Sequence, residues 1–309
     1  MPDAVSWSLH HLPRLTGRTA VVTGANSGIG LEASRGLAAL GARVVMACRS
    51  EERAEAAAVD IHSTVPGADL VVRRLDLADL SSVAAFAETF AETDRLDLLV
   101  NNAGLMAPPV RQETADGFEM QFGVNVLGHF ALTARLLPHL LRAPAARAVW
   151  LSSIAHRRGR IRLDDLQSEG SYSPFGAYQQ SKLADLMLAI EMQRRLTDSG
   201  ADVLSVAAHP GLTNTDLSND MAGGSRLKAR ILAFGASLIA MPIWKGALPT
   251  LVAAAGARTQ PADYIGPDGF QETRGMPARA TIAPQAQDAE VARRLWTACE
   301  ELTGVSMLS

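Results

Sequence analysis

The sequence predicts an α/β fold: a single doubly wound domain with a mostly parallel sheet of about seven strands flanked by helices. Three observations support this. Short apolar or β-branched runs alternate with longer helical stretches, a glycine-rich turn follows the first run, and no composition break marks a second domain. The runs TAVVTG, RVVMAC, DLVVRRLDL, LDLLVNNAG, RAVWLSS and ADVLSVAAHPG read as strands. Between them, LEASRGLAAL (Leu31 to Leu40) and SSVAAFAETFAE (Ser81 to Glu92) carry helical spacing. Alternation of this kind gives parallel neighbours joined by right-handed crossovers, with helices on both faces.

Composition narrows the function classes. The 309 residues are 48% hydrophobic and 20% charged, with a formal net charge of -3 and no basic tract, so no nucleic-acid partner is expected. Cys48 and Cys299 are too few for a disulfide framework and fit a reducing compartment. The start, MPDAVSWSLHHLPRL, lacks a basic segment followed by an apolar run, so no signal peptide is read there. The longest apolar run, Ile231 to Trp244, falls short of the roughly 18–20 residues that span a bilayer. A cytoplasmic protein is the expectation. His129, His139, His156 and His209 have no metal-ligand spacing, so no metal is expected.

TGANSGIG (Thr23 to Gly30) lies between the first strand and a helix. Gly24, Gly28 and Gly30 let the backbone approach a pyrophosphate closely, and the free amides and helix dipole there favour negative charge. Ser27 and Ile29 belong to the same turn. The same glycines also serve a plain tight turn. At the end of the second strand, MACRS offers Arg49 and no carboxylate before Glu51. A guanidinium pairs with a ribose 2′-phosphate, which a carboxylate repels, so NADP(H) is predicted over NAD.

AYQQSK places Tyr178 four residues before Lys182, on one face of a helix and one turn apart. A carbonyl accepting hydride develops negative charge on oxygen, which needs a proton donor. An ammonium beside a phenol favours the phenolate, which gives Lys182 a physical role next to Tyr178. Gln179, Gln180 and Ser181 read as spacers or cofactor-side packing.

The ordered set of motifs resembles the short-chain dehydrogenase/reductase family from about Leu15 almost to the C-terminus. After TGANSGIG come Asp76, NNAG at 101–104, Asn125 in FGVNVLGHF, Ser153 in WLSSIAH, the Tyr178/Lys182 pair and HPG at 209–211. WLSSIAHRRGRI, SYSPFGAYQQSKLA and YIGPDGF are most similar to its retinol dehydrogenase and WW-domain oxidoreductase branch. The resemblance implies a Rossmann domain in which Asp76 and the Leu77 amide meet the adenine, and Asn102, Ala103 and Gly104 border the adenine ribose. It implies that Pro210, Gly211 and either Thr213 or Thr215 hold the nicotinamide carboxamide, with Thr215 fitting the family spacing better. Tyr178 is implied as general acid and base, and Lys182 as a donor to the nicotinamide ribose hydroxyls. Ser153 is implied as a hydrogen-bond donor to the substrate oxygen, and Asn125 as the holder of a relay water. Ser152 and Ser153 point to opposite faces of a strand, and the family uses the second of the pair. The stretch HRRGRIRLDDLQSEG between Ser153 and Tyr178 reads as an excursion that returns to the site.

These readings divide the single domain, 1–309, into a cofactor-binding and catalytic core at 15–211 and a substrate lid with C-terminal elaboration at 212–280. In residues 226–244, Phe234, Leu238, Ile239, Met241 and Trp244 recur at near-helical spacing, which suits a substrate wall, a core helix or a subunit contact. Arg226, Lys228 and Arg230 beside that run permit loose membrane-surface contact, the lesser reading. The implied activity is a carbonyl reductase, or alcohol dehydrogenase in reverse, on a small hydrophobic ketone, aldehyde or alcohol, as a monomer or homodimer. The alternatives are an NADP-binding sensor without turnover and a retinoid or steroid dehydrogenase.

Overall fold

A computed structural model describes residues 11–92, 94–213 and 241–308. All six strands expected from the sequence are present: β1 (Thr19–Thr23), β2 (Arg43–Cys48), β3 (Leu70–Arg74), β4 (Leu98–Asn101), β5 (Ala146–Leu151) and β6 (Val203–Ala208). Two more, β7 (Tyr264–Pro267) and β8 (Pro277–Arg279), bring the sheet to eight strands in the order β3-β2-β1-β4-β5-β6-β7-β8. Among the described residues every strand pairing is parallel except β7 with β8, which closes the edge as an antiparallel hairpin. Strand order reverses between β1 and β4, and in open α/β sheets ligands bind beyond the strand carboxyl ends at that reversal.

Side-chain alternation divides the core in two. Val21, Val45, Leu99 and Trp150 face the layer of α3 (Leu80–Glu88), α4 (Gly128–Leu140), α5 (Pro174–Asp198) and α8 (Ala289–Thr303). Val22, Met46, Val100 and Val149 face the layer of α1 (Gly28–Ala39), α2 (Glu51–Thr64) and α7 (Leu248–Ala255), which follows the short α6 (Ile243–Gly246). Much of the segment expected as C-terminal elaboration is therefore core. Leu248, Leu251 and Ala254 pack under the sheet, and β7 is an integral strand.

Local chemistry sets the helix starts. Ser50 accepts the Arg53 amide, Asp79 accepts those of Ser81 and Ser82, and Asp288 caps α8 in the same way. Ser173 accepts the Gly176 amide, and Pro174 opens α5 where its missing N–H has no partner to lose. The helix expected to reach Glu92 stops at Glu88, and Phe90 turns inward against the His139 ring at 5.5 Å. Among the described residues no helix is long and apolar enough to cross a membrane.

Candidate active site

The glycine turn is locked against two strands. The Gly24 amide donates to Ala47 O of β2 at 2.8 Å, and the Asn102 side chain donates to Thr23 O at 2.7 Å. A Cβ at Gly30 would lie 2.3 Å from Gly24 O and 2.4 Å from Asn102 Nδ2, so only glycine lets the helix start pack this closely on the turn. Gly24 and Gly28 hold positive φ, 65° and 55°. Ser27 occupies the N-cap of α1, yet its hydroxyl makes no capping bond. The Asn102 side chain is committed to Thr23, and Ala103 lies against Gly24.

The carboxyl ends of β2 and β3 are basic. Arg49 is exposed just past buried Cys48, whose thiol meets the backbone of Ala25 and Asn26 and is pushed up to about 11 by burial. Arg74, paired in register with Cys48 at the end of β3, adds a second cation that sequence reading passed over. Asp76 stands just beyond, one oxygen accepting the Ala78 amide at 3.0 Å. Leu77 is buried, with its carbonyl against Gly128 at the start of α4.

A polar pillar then links turn and catalytic helix. Thr23 Oγ1 accepts the amides of Asn102 and Ala103, both at 2.9 Å, and meets His129 Nε2 at 2.9 Å. His129 Nδ1 is 2.8 Å from the Asn125 carbonyl and must donate to it, so Nε2 is the acceptor for Thr23. Burial holds His129 down at about 3, so the ring stays neutral. Asn125 lies in a π-helical stretch, Phe122–Leu127, that leads into α4. Its side chain accepts the Leu105 amide at 2.8 Å and donates to Leu105 O at 3.1 Å and Ser181 Oγ at 2.9 Å. Asn125 thus bridges the NNAG segment to α5, and Ser181 is its anchor rather than a spacer.

Lys182 is buried, its Nζ 2.9 Å from both Leu151 O and Asp185 Oδ2. A Cβ on Gly104 would stand 3.2 Å from Asn125 Oδ1 and 3.6 Å from Lys182 Nζ. The ends of β4 and β5, the π-helical stretch and α5 therefore converge on one ammonium. Burial works against its charge, but Asp185 and Tyr178 outweigh that and push Lys182 above its ordinary value. Tyr178 lies one turn earlier on α5, half-buried. Ser152 is buried and donates to Lys182 O at 2.6 Å, whereas half-buried Ser153 accepts the Ala155 amide at 3.2 Å. The excursion does return to the site. Gln180 accepts the Arg162 amide and donates to Leu166 O, pinning it along the first turns of α5, so Gln180 is not a spacer either.

The loop after β6 rests on a second cluster. His209 is fully buried and sits 3.2 Å from Glu272 Oε2, and its Nδ1 accepts the Gly211 amide at 3.2 Å. Glu272 also pairs with Arg157 at 2.5 Å and accepts both Thr281 donors. Burial works against the Glu272 carboxylate, but His209, Thr281 and Arg157 outweigh it and hold it at about 2. The rings of His156 and His209 pack on Tyr264 at 5.3 and 5.1 Å. Gly266 of YIGPDGF leaves the space that His209 fills, since a Cβ there would lie 2.0 Å from Nε2. Pro210 and Gly211 stand in this loop, and Thr213 is buried with its methyl against Gly246. Thr215 and residues 226–240 of the expected lid lie outside the described residues. Within them, Met241 is buried and Trp244 packs against the α1–α7 layer. Among the described residues no cluster could hold a metal ion.

Comparison with known proteins places the family and agrees with the fold. Residues 18–224 match the short chain dehydrogenase family. Human retinol dehydrogenase 12 is 39% identical over 298 residues, covering 94% of this chain and 88% of its own. Human retinol dehydrogenase 13 is 40% identical over 294 residues, covering 94% and 86%. A crystal structure of an uncharacterized protein from Mycobacterium paratuberculosis is 41% identical with a TM-score of 0.80, covering 97% of this chain and 98% of that one. The RhlG/NADP active-site complex of Pseudomonas aeruginosa is 26% identical with a TM-score of 0.62, covering 80% and 93%. On sequence and architecture together, this chain belongs to the short-chain dehydrogenase family of oxidoreductases.

Proposed function

We propose that this oxidoreductase uses NADP(H) to interconvert an alcohol and a carbonyl on a hydrophobic substrate, with Tyr178 as general acid and base. The observation that carries the reading is the convergence of Lys182, Asn125 and Gly104 at the ends of β4 and β5, one helical turn from Tyr178. The residues present fit a dinucleotide: the turn is packed to glycine tolerance, and the Ser27 hydroxyl leaves the first amides of α1 uncapped. Gly24, Ser27, Gly28, Ile29 and Gly30 would hold the pyrophosphate, and Arg49 the 2′-phosphate. Asp76 and Leu77 would meet the adenine, and Asn102, Ala103 and Gly104 would back its ribose. Pro210, Gly211 and Thr213 or Thr215 would border the nicotinamide.

When bound, the nicotinamide supplies hydride to the carbonyl carbon or accepts it from the alcohol carbon. In reduction, Tyr178 gives its phenolic proton to the substrate oxygen; in oxidation, the phenolate takes it back. Ser153 already accepts from Ala155, so the hydroxyl proton is what it offers that oxygen. The Lys182 ammonium stabilises the phenolate. Retinoids are the first substrates to try, because two relatives of 39% and 40% identity are named retinol dehydrogenases.

The test is nicotinamide absorbance with NADPH and NADH against all-trans-retinal, steroid ketones, aryl ketones and aliphatic aldehydes. Turnover should favour NADPH, fall at least a hundredfold in Tyr178→Phe, and lose its NADPH preference in Arg49→Asp. Full turnover in Tyr178→Phe overturns the acid–base assignment. Tight NADPH binding with no turnover across the panel favours a sensor.

A further inference from the structure

Lys182 has a partner that its catalytic assignment does not explain. Asp185, three residues on along α5, holds Lys182 Nζ at 2.9 Å with both groups buried in the core. A lysine ammonium has three N–H donors. Asp185 and Leu151 O take two of them, leaving one for the phenol or a ligand. The other carboxylate oxygen, Oδ1, is buried with no hydrogen-bond partner. An unpaired oxygen on a buried charge is costly, and replacing such pairs with apolar groups is often neutral or stabilising, so packing alone gives no reason to keep it.

The surroundings isolate the pair electrically. Tyr178 faces it from the preceding turn of α5, His129 from α4 and Cys299 from α8. Burial keeps His129 neutral and pushes the Cys299 thiol up, so it stays protonated. Near neutral pH Lys182 and Asp185 thus supply opposed charges in this pocket; Tyr178 responds to them, while Tyr264 of β7, which faces Tyr178, is kept protonated by burial. Burial raises Asp185 to about 6, and the ammonium opposes that rise.

We propose that Asp185 is a positioning residue for the reaction: its carboxylate fixes the Lys182 ammonium in place and partly cancels the field that the ammonium exerts on Tyr178. Removing the carboxylate exposes the phenol to an uncompensated cation, so the phenolate forms at lower pH. This rests on the assignment of Tyr178 and Lys182 as the acid–base pair.

The experiment is an ultraviolet difference titration of phenolate absorbance. The chain has three tyrosines, so subtracting the matching Tyr178→Phe protein isolates Tyr178. In Asp185→Asn the midpoint should fall by about one pH unit. An unchanged or higher midpoint overturns the proposal. If the Asn variant does not fold, Asp185→Leu, which needs no partner at the unpaired oxygen, is titrated in the same way. If neither folds, the wild type decides. Protonation of Asp185 near its value of about 6 should put a step in the pH profile of all-trans-retinal reduction, and a flat profile across that value overturns the proposal. Tyr178→Phe and Lys182→Met are assayed alongside. Full turnover in either removes the acid–base assignment itself, whereas their inactivity with a fixed midpoint removes only the role of Asp185.

Discussion

Gly30→Ala probes the cofactor turn directly. The added methyl would sit 2.3 Å from Gly24 O and 2.4 Å from Asn102 Nδ2, against an ordinary contact of about 3.5 Å. Roughly 1 Å of movement is therefore required of one wall. Neither wall is a flexible chain end. Gly24 is pinned to Ala47 O, and Asn102 is tied to Thr23 through both its amide and its side chain. Relief means breaking the Asn102–Thr23 bond, about 1 kcal/mol, on top of overpacking of about 1–3 kcal/mol. If about 2 kcal/mol of this falls on the bound state, NADPH affinity drops about thirtyfold. Fluorescence titration of NADPH measures it, with melting temperature recorded in parallel. Gly36→Ala is the control: it lies on the same helix, but its methyl meets the flexible tip of Leu251 on α7. That variant should lose stability while keeping its NADPH affinity. A Gly30→Ala protein binding NADPH within about threefold of wild type would refute the idea that this packing shapes the site.

Two further outcomes follow from buried charge. Lys182→Met strands the Asp185 carboxylate and should destabilise the fold by about 3–5 kcal/mol near neutral pH. Asp185 is already raised above its unfolded value, so its contribution is full below that value and lost as pH rises through the folded one. The variant should therefore melt progressively lower as pH rises from about 5 to about 8 relative to wild type, and Asp185→Asn added to it should recover most of the loss. A loss independent of pH would contradict this. Glu272→Ala removes the carboxylate shared by His209, Arg157 and Thr281, and should cost about 2–3 kcal/mol at neutral pH by thermal melting. Glu272 is held down at about 2, so its contribution is present above the ordinary carboxylate value and lost as pH falls towards that figure. A deficit that persists unchanged in acid would show that the carboxylate charge is not what holds the loop.

Strands β1 to β6 were legible because buried parallel strands read as short apolar runs punctuated by helices. Tyr178, Lys182 and the glycine turn were legible because their spacing carries chemistry within a few residues. Asp185 was not: on paper it is an ordinary polar residue three positions after a lysine, and only the packed fold shows it buried against that lysine. Thr23 and His129 escaped notice for a similar reason, since their partnership spans β1 and α4. Gln180 and Ser181 looked like filler because nothing in AYQQSK tells which residues point away from solvent. β8 has three residues and no periodicity, so its strand character comes entirely from pairing with β7.

The antiparallel hairpin at the end of the sheet bears on how copies of this protein can meet. An outermost strand is a template for another chain, because its outward N–H and C=O groups seek partners. Here that strand is only Pro277–Arg279, opens with a residue that has no N–H, and ends in a cation. The opposite margin, β3, ends in Arg73 and Arg74. Both rims are poor templates for a continuing sheet, which protects the fold from fibril-like stacking and leaves helical faces as the surfaces through which copies could associate.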